Sequence, residues 1–93
     1  MRLKEFELAA ILTVVRSLDD TAGVYLFGSR VDDSKKGGDI DLLIMTDRLT
    51  SDDKRTIKIK LYEVLSEQKI DIVLAKDESN PFVKLALETG VKL

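Results

Sequence analysis

The segment from residue 39 to residue 75 has the pattern of a strand, a helix and a second strand, and this order constrains the fold most. The runs Asp39 to Met45 and Lys69 to Ala75 are rich in Ile, Val and Leu, as is typical of buried strands. The segment Thr50-Ser51-Asp52-Asp53 offers N-cap side chains and early acids for the helix between them. We expect its inward-facing residues to be Ile57, Leu61, Val64 and Leu65. Such a unit is right-handed, and its two strands run parallel.

Acidic residues occur at the N-terminal ends of both predicted strands. Asp39 and Asp41 are two residues apart, so their side chains project to the same side of the strand. Asp71 has the corresponding place in the second strand, and parallel strands begin at the same edge of a sheet. Ionised carboxylates this close repel one another unless a cation neutralises them, and Mg²⁺ prefers oxygen ligands. The sequence therefore predicts a Mg²⁺ and triphosphate site at this edge.

Another β-rich run, Val24 to Phe27, precedes these two strands. The loop that joins it to the next strand is too short for a usual parallel crossover, so we expect the two strands to be antiparallel. This arrangement places Gly28 and Ser29 at the edge that carries the carboxylates. Glycine lets the backbone approach a phosphate closely, and a serine at a helix start can donate both its hydroxyl and its amide.

Three cationic residues lie in this turn or in the loop after it. Arg30, Lys35 and Lys36 carry the charge that would offset a triphosphate. Charged loop residues are also commonly solvated, so these residue types are weaker indicators than Gly28 and Ser29. We predict a nucleotide-binding turn that consists of Gly28, Ser29 and Arg30.

The flanking segments predict helices. An amphipathic helix is expected from Leu3 to Leu18, and a short one from Phe82 to Thr89, followed by an extended edge at Val91 to Leu93. The three phenylalanines, Phe6, Phe27 and Phe82, are expected in the core. With 93 residues and 44% hydrophobic content, residues 1–93 suit one domain of the α/β (α+β) class: a small mixed β-sheet packed with helices.

Composition excludes several kinds of chemistry. The chain has no cysteine and no histidine, which removes thiolate nucleophiles, the usual zinc sites and histidine-based acid or base catalysis. Its formal charge of −2 disfavours a nucleic-acid partner. No apolar run approaches the ~18 residues of a membrane span, and we predict a cytoplasmic protein that does not bind membranes.

Three motifs together resemble the minimal nucleotidyltransferases of the DNA polymerase β-like superfamily. They are Leu26-Phe27-Gly28-Ser29-Arg30, Gly38-Asp39-Ile40-Asp41-Leu42-Leu43-Ile44 and Ile70-Asp71-Ile72-Val73. The resemblance implies the polymerase β-like nucleotidyltransferase fold and transfer of a nucleoside monophosphate, AMP from ATP, to a hydroxyl group. It also implies that Asp39, Asp41 and Asp71 are the catalytic residues and bind two Mg²⁺ ions, with Gly28 and Ser29 at the phosphates.

Stand-alone relatives of this size resemble the antitoxin of a two-gene pair, in which the toxin is an all-helical HEPN ribonuclease that some of them modify with AMP on tyrosine. The resemblance thus implies a HEPN-type protein partner. One segment and one further residue depart from the usual pattern: Val31-Asp32-Asp33 follows the turn, and Gly38 stands where serine is common. A non-catalytic module that masks its partner sterically is the alternative function. The sequence leaves open the base selected, the acceptor residue and whether the chain forms a homo-oligomer.

Overall fold

Three α-helices and four strands form the part of the chain that the computed structural model describes, residues 1–32, 34, 38–65 and 68–93. In chain order the elements are α1 (Glu5–Leu18), β1 (Gly23–Phe27), a 3-10 turn (Gly28–Val31), β2 (Ile40–Met45), α2 (Ser51–Leu65), β3 (Ile70–Ala75), α3 (Pro81–Thr89) and β4 (Val91–Lys92). Lys35 and Lys36, predicted to offset phosphate charge, lie outside the described residues. No helix in the described ranges is both long and apolar enough to cross a membrane.

The four strands form one mixed sheet in the order β3-β2-β1-β4. β2 and β3 are parallel, whereas β1 is antiparallel to both β2 and β4. The predicted directions of the three longer strands and the predicted edge at the C-terminus are therefore confirmed. Strands β2 and β3 begin one residue later than expected, so Asp39 and Lys69 lie just before them.

One face of the sheet packs against α1 and α2. Alternate residues of each strand point to this side, as pleating requires, and pack with apolar residues of the two helices. The core residues from the three longer strands are Val24, Leu26, Ile40, Leu42, Ile44, Ile70 and Ile72. This face contains most of the hydrophobic core and holds the sheet to the helices.

Among the residues that the structure describes, the nine-residue helix α3 is the element that packs on the opposite face. Leu43 packs there with Val83 and Ala86, and the neighbouring sheet residues Phe27 and Val73 are only partly buried. By strand alternation, Asp41 shares this face with Leu43, and Asp71 shares it with Val73. The carboxylates thus lie on the thinly covered side of the sheet.

Two predicted core residues, Val64 and Phe6, are exposed instead. Consecutive helical residues point about 100° apart, and in each case the next residue is the buried one. Leu65 is buried in the core on α2, and Glu7 is buried on α1. The inward positions Ile57, Leu61 and Leu65 are confirmed, whereas the prediction for Val64 was wrong.

The third phenylalanine predicted in the core, Phe82, is also half exposed. Its ring packs edge-on against Phe27, with ring centroids 5.6 Å apart. The contact covers one side of the ring only, because α3 is too short to bury the whole face. A cavity of about 340 Å³ opens beside it and is lined in part by Val73, Ala75 and Val83.

Candidate active site

Asp41 and Asp71 lie side by side in the parallel register of β2 and β3. Partial burial of Asp41 raises the pKa of its carboxyl, and the charges of Asp71 and Asp39 and a hydrogen bond with Asp71 raise it further. The structure therefore brings together two of the three predicted acids as neighbouring carboxyl groups.

Asp39 is close enough to act on Asp41 electrostatically, but its own carboxylate pairs with Lys69. The Lys69 Nζ lies 3.7 Å from Asp39 Oδ2, and both side chains are well exposed, so this ion pair is weak. Within the described residues, no group of three or more acidic, cysteine or histidine side chains is arranged so that it could hold a metal ion. Of the three carboxylates expected to lie together, those of Asp41 and Asp71 are adjacent, whereas that of Asp39 lies beside them and pairs with Lys69.

Gly28 abuts the Asp41 carboxylate directly. Its φ is 77°, a conformation that side chains with a Cβ rarely adopt. A Cβ at this position would overlap Asp41 Oδ2. Phe27, the preceding residue, pairs with Asp41 across β1 and β2. The predicted proximity of the glycine turn and the carboxylates is therefore observed.

Ser29 packs against Gly38 in the same way. Gly38 has a φ of 92°, and a Cβ there would overlap the Ser29 hydroxyl oxygen. Both the backbone conformation and the close approach require glycine. The departure from the serine common in relatives thus has a local cause in this chain.

Arg30, predicted to contact nucleotide, uses its guanidinium within the protein. Nε donates to the Gly38 carbonyl at 3.3 Å, Nη1 to the Arg2 carbonyl at 3.0 Å, and Nη2 to Gln68 Oε1 at 2.7 Å. Arg2 in turn donates from Nη2 to the Ser29 carbonyl at 3.0 Å. The turn is therefore tied to three other parts of the chain.

Glu7 and Gln68, which sequence reasoning did not single out, complete this network. Gln68 Nε2 donates to Glu7 Oε2 at 2.6 Å, and the Lys4 amide donates to Glu7 Oε1 at 2.9 Å. Burial alone would raise the pKa of Glu7, which is 2% exposed, but these hydrogen bonds and the Arg30 charge lower it overall. In the sequence, the signal that could have indicated Glu7 is its position next to the apolar stripe of α1. No sequence signal indicates Gln68.

The topology, with three helices and a mixed four-stranded sheet, is that of a polymerase β-like nucleotidyltransferase fold. No curated protein sequence matches the chain. The sequence model of the family "Polymerase beta, Nucleotidyltransferase" matches residues 10–93. This range includes the glycine turn and all three acids, and the match supports a nucleotidyltransferase-type activity. The chain belongs to the polymerase beta nucleotidyltransferase family.

Proposed function

We propose that this chain is a Mg²⁺-dependent nucleotidyltransferase that transfers AMP from ATP to a hydroxyl group of a protein partner. The observation that carries the proposal is that Asp41 and Asp71 are adjacent in the parallel register, with Asp41 against the Gly28 turn. Carboxylates held together in this way are costly for a fold unless a cation or a reaction uses them.

The carboxylate oxygens of Asp41 and Asp71 suit Mg²⁺, and Asp39 would join them by turning away from Lys69. Asp39, Asp41 and Asp71 would hold two ions, because their oxygens are the ligands that this metal prefers and their charges repel without it. When bound, the metal supplies charge neutralisation at the phosphates and polarisation of the phosphoryl group. Lys69, paired with Asp39, is then free to turn toward solvent, since exposed ion pairs contribute little.

The chain's own residues have distinct parts in the transfer. The Gly28 backbone and the hydroxyl and amide of Ser29 donate to phosphate oxygens of ATP. The acceptor oxygen forms a bond to the α-phosphorus, the bond from that phosphorus to the bridging oxygen breaks, and pyrophosphate leaves. The proton of the acceptor hydroxyl passes to the carboxylate of Asp71. AMP remains attached to the acceptor.

We further propose that the acceptor belongs to a HEPN-type toxin and that the chain acts as the cytoplasmic antitoxin. The thin cover of this face of the sheet supports this. Val73, which shares the face with Asp71, is only partly buried and lines a cavity together with half-exposed Phe82. A partner that covered this face would supply the surface that α3 does not.

Transfer of label from α-labelled ATP onto a co-purifying protein tests the proposal. The native chain is compared with Asp41→Asn and Asp71→Asn, which keep the side-chain size. Asp47→Asn is the matched control, since Asp47 is an exposed acid beyond the other end of β2. We expect label with the native chain and the control and none with the site variants. A partner that stays bound but unlabelled in every case would overturn the proposal in favour of steric masking.

A further inference from the structure

Arg30 contacts each of the segments that lead into the candidate active site. It lies in the 3-10 turn with Gly28 and Ser29. Its Nε donates to the carbonyl of Gly38, the residue before Asp39, and its Nη2 donates to the side chain of Gln68, which precedes β3 and Asp71. One guanidinium therefore joins the turn to the starts of both acid-bearing strands.

The surrounding contacts fix the orientation of this guanidinium. The Arg2 amide donates to the Arg30 carbonyl at 2.8 Å, and Arg30 Nη1 donates back to the Arg2 carbonyl at 3.0 Å. On the far side, Gln68 is held by buried Glu7 through its amide nitrogen at 2.6 Å. Gln68 thus accepts from Arg30 and donates to Glu7, so its amide is fixed at both ends.

We propose that Arg30 is a positioning residue, and that the chain of contacts from Glu7 through Gln68 to Arg30 sets the spacing of the Gly28 turn, Asp39 and Asp71. This role replaces the direct nucleotide contact predicted from the sequence, and it rests on the proposed function. A planar guanidinium with a fixed fork of donors suits such a task better than an ammonium group does.

The network reaches the site through backbone groups, which do not titrate and do not depend on the nucleotide. Gly38 is held from two directions, by the Arg30 hydrogen bond to its carbonyl and by the Ser29 hydroxyl against its Cα. A shift of Arg30 would therefore move the turn and Asp39 relative to each other. Active sites lose about 10²-fold in rate for a misplacement of about 1 Å.

Amide NMR spectra of the chain without nucleotide test the coupling independently of activity. Gln68→Leu replaces the side chain with an apolar one of broadly similar size and removes both amide contacts. We expect the amide resonances of Ser29 and Asp39 to shift, although Gln68 hydrogen-bonds to Arg30, Glu7 and Leu65 rather than to either of them, and we expect this shift to vanish when Arg30→Lys is already present. Thr56→Val, which loses one local hydrogen bond within α2, is the control. Shifts confined to the neighbours of Gln68 would overturn the proposal.

Transfer kinetics distinguish positioning from nucleotide binding. Gln68→Leu is expected to lower kcat roughly tenfold or more, with the KM for ATP close to its native value. Its melting temperature should fall, because buried Glu7 loses the Gln68 hydrogen bond, so the kinetics are compared at a temperature at which the variant is fully folded. If Arg30 instead binds phosphate, Gln68→Leu keeps the native kcat and Arg30→Lys raises the KM for ATP, and the proposal fails. Should the native chain transfer nothing, the proposed function fails, and the NMR comparison still decides whether the network couples the three segments.

Discussion

The two ends of the sheet each carry a carboxylate that the fold partly or fully buries, yet the two acids respond in opposite ways. At one end Asp19, 1% exposed, accepts hydrogen bonds from Thr46 Oγ1 at 2.6 Å, Thr21 Oγ1 at 2.7 Å and the Thr21 amide at 3.0 Å. Arg48 lies 3.7 Å away. The Thr46 hydrogen bond is the main cause that lowers the pKa of Asp19.

At the other end, Asp41 has acids for neighbours. Burial raises the pKa of its carboxyl, and the charges of Asp71 and Asp39 add to the effect. Asp19 and Asp41 thus show two environments of one residue type. Hydrogen-bond donors of the same chain surround the carboxylate of Asp19, whereas the neighbours of the Asp41 carboxylate are other acids. A pKa raised by burial and by neighbouring acids, as in Asp41, is the more typical of functional sites.

Replacement of Asp19 by alanine should have the largest effect on stability. It leaves the two threonine hydroxyls and one amide without their acceptor in a buried place, and hydrogen bonds to a charged group are the strong ones. We expect the melting temperature to fall by about 10 °C, as measured by circular dichroism. Asp19→Asn, which retains one acceptor oxygen, should lose less. Equal losses in the two variants would mean that the hydrogen bonds are not the cause.

Gly28→Ala should have the second largest effect on stability. The alanine Cβ would meet both an unfavourable positive φ and the Asp41 carboxylate, so we expect a fall of about 5 °C in melting temperature. Gly23→Ala is the matched control, because the nearest atom to its added Cβ belongs to the flexible side chain of Tyr25. A loss at Gly23 as large as that at Gly28 would contradict a special role for the turn.

The fold could be predicted because its signals are local or depend on topology. The apolar runs around β2 and β3 determine a parallel unit, and that unit alone brings Asp41 next to Asp71. The glycine turn follows from the short loop after β1. Exposure was predicted less well, as Phe6 and Phe82 show, because it depends on how much of a face another element covers.

The network around Arg30 could not be predicted from sequence for a different reason. Residues that hydrogen-bond directly within it are up to 61 positions apart in the sequence, and each side chain alone is an ordinary polar residue. In the sequence, a cationic residue that follows the Gly28-Ser29 turn favours the interpretation that it binds phosphate. The positions of Gln68 and Gly38 in the structure show that the Arg30 guanidinium has other hydrogen-bond acceptors. The same applies to Asp19, whose sequence context marks only the end of a helix.

The smallest effect expected is a change in stability with pH, and its sign differs between the two ends. The pKa of Asp19 is lowered on folding, so its contribution is present above the unfolded pKa of about 3.9 and is lost as pH falls. The pKa of Asp41 is raised, so the folded state binds the proton more tightly than the unfolded chain does. Stability from this group therefore decreases as pH rises from about 4 through the folded pKa.

Asp41→Asn should thus raise the melting temperature at pH 7 slightly, by about 2 °C, and should have less effect near pH 3, where the native carboxyl is protonated. Asp19→Asn should lower stability at pH 7 and should also have less effect at low pH. Melting curves between pH 3 and pH 7, with Asp47→Asn as the exposed control, measure both slopes. If Asp41→Asn destabilised the chain at pH 7, its carboxylate would be a structural acid like that of Asp19, and the contrast between the two ends of the sheet would not hold.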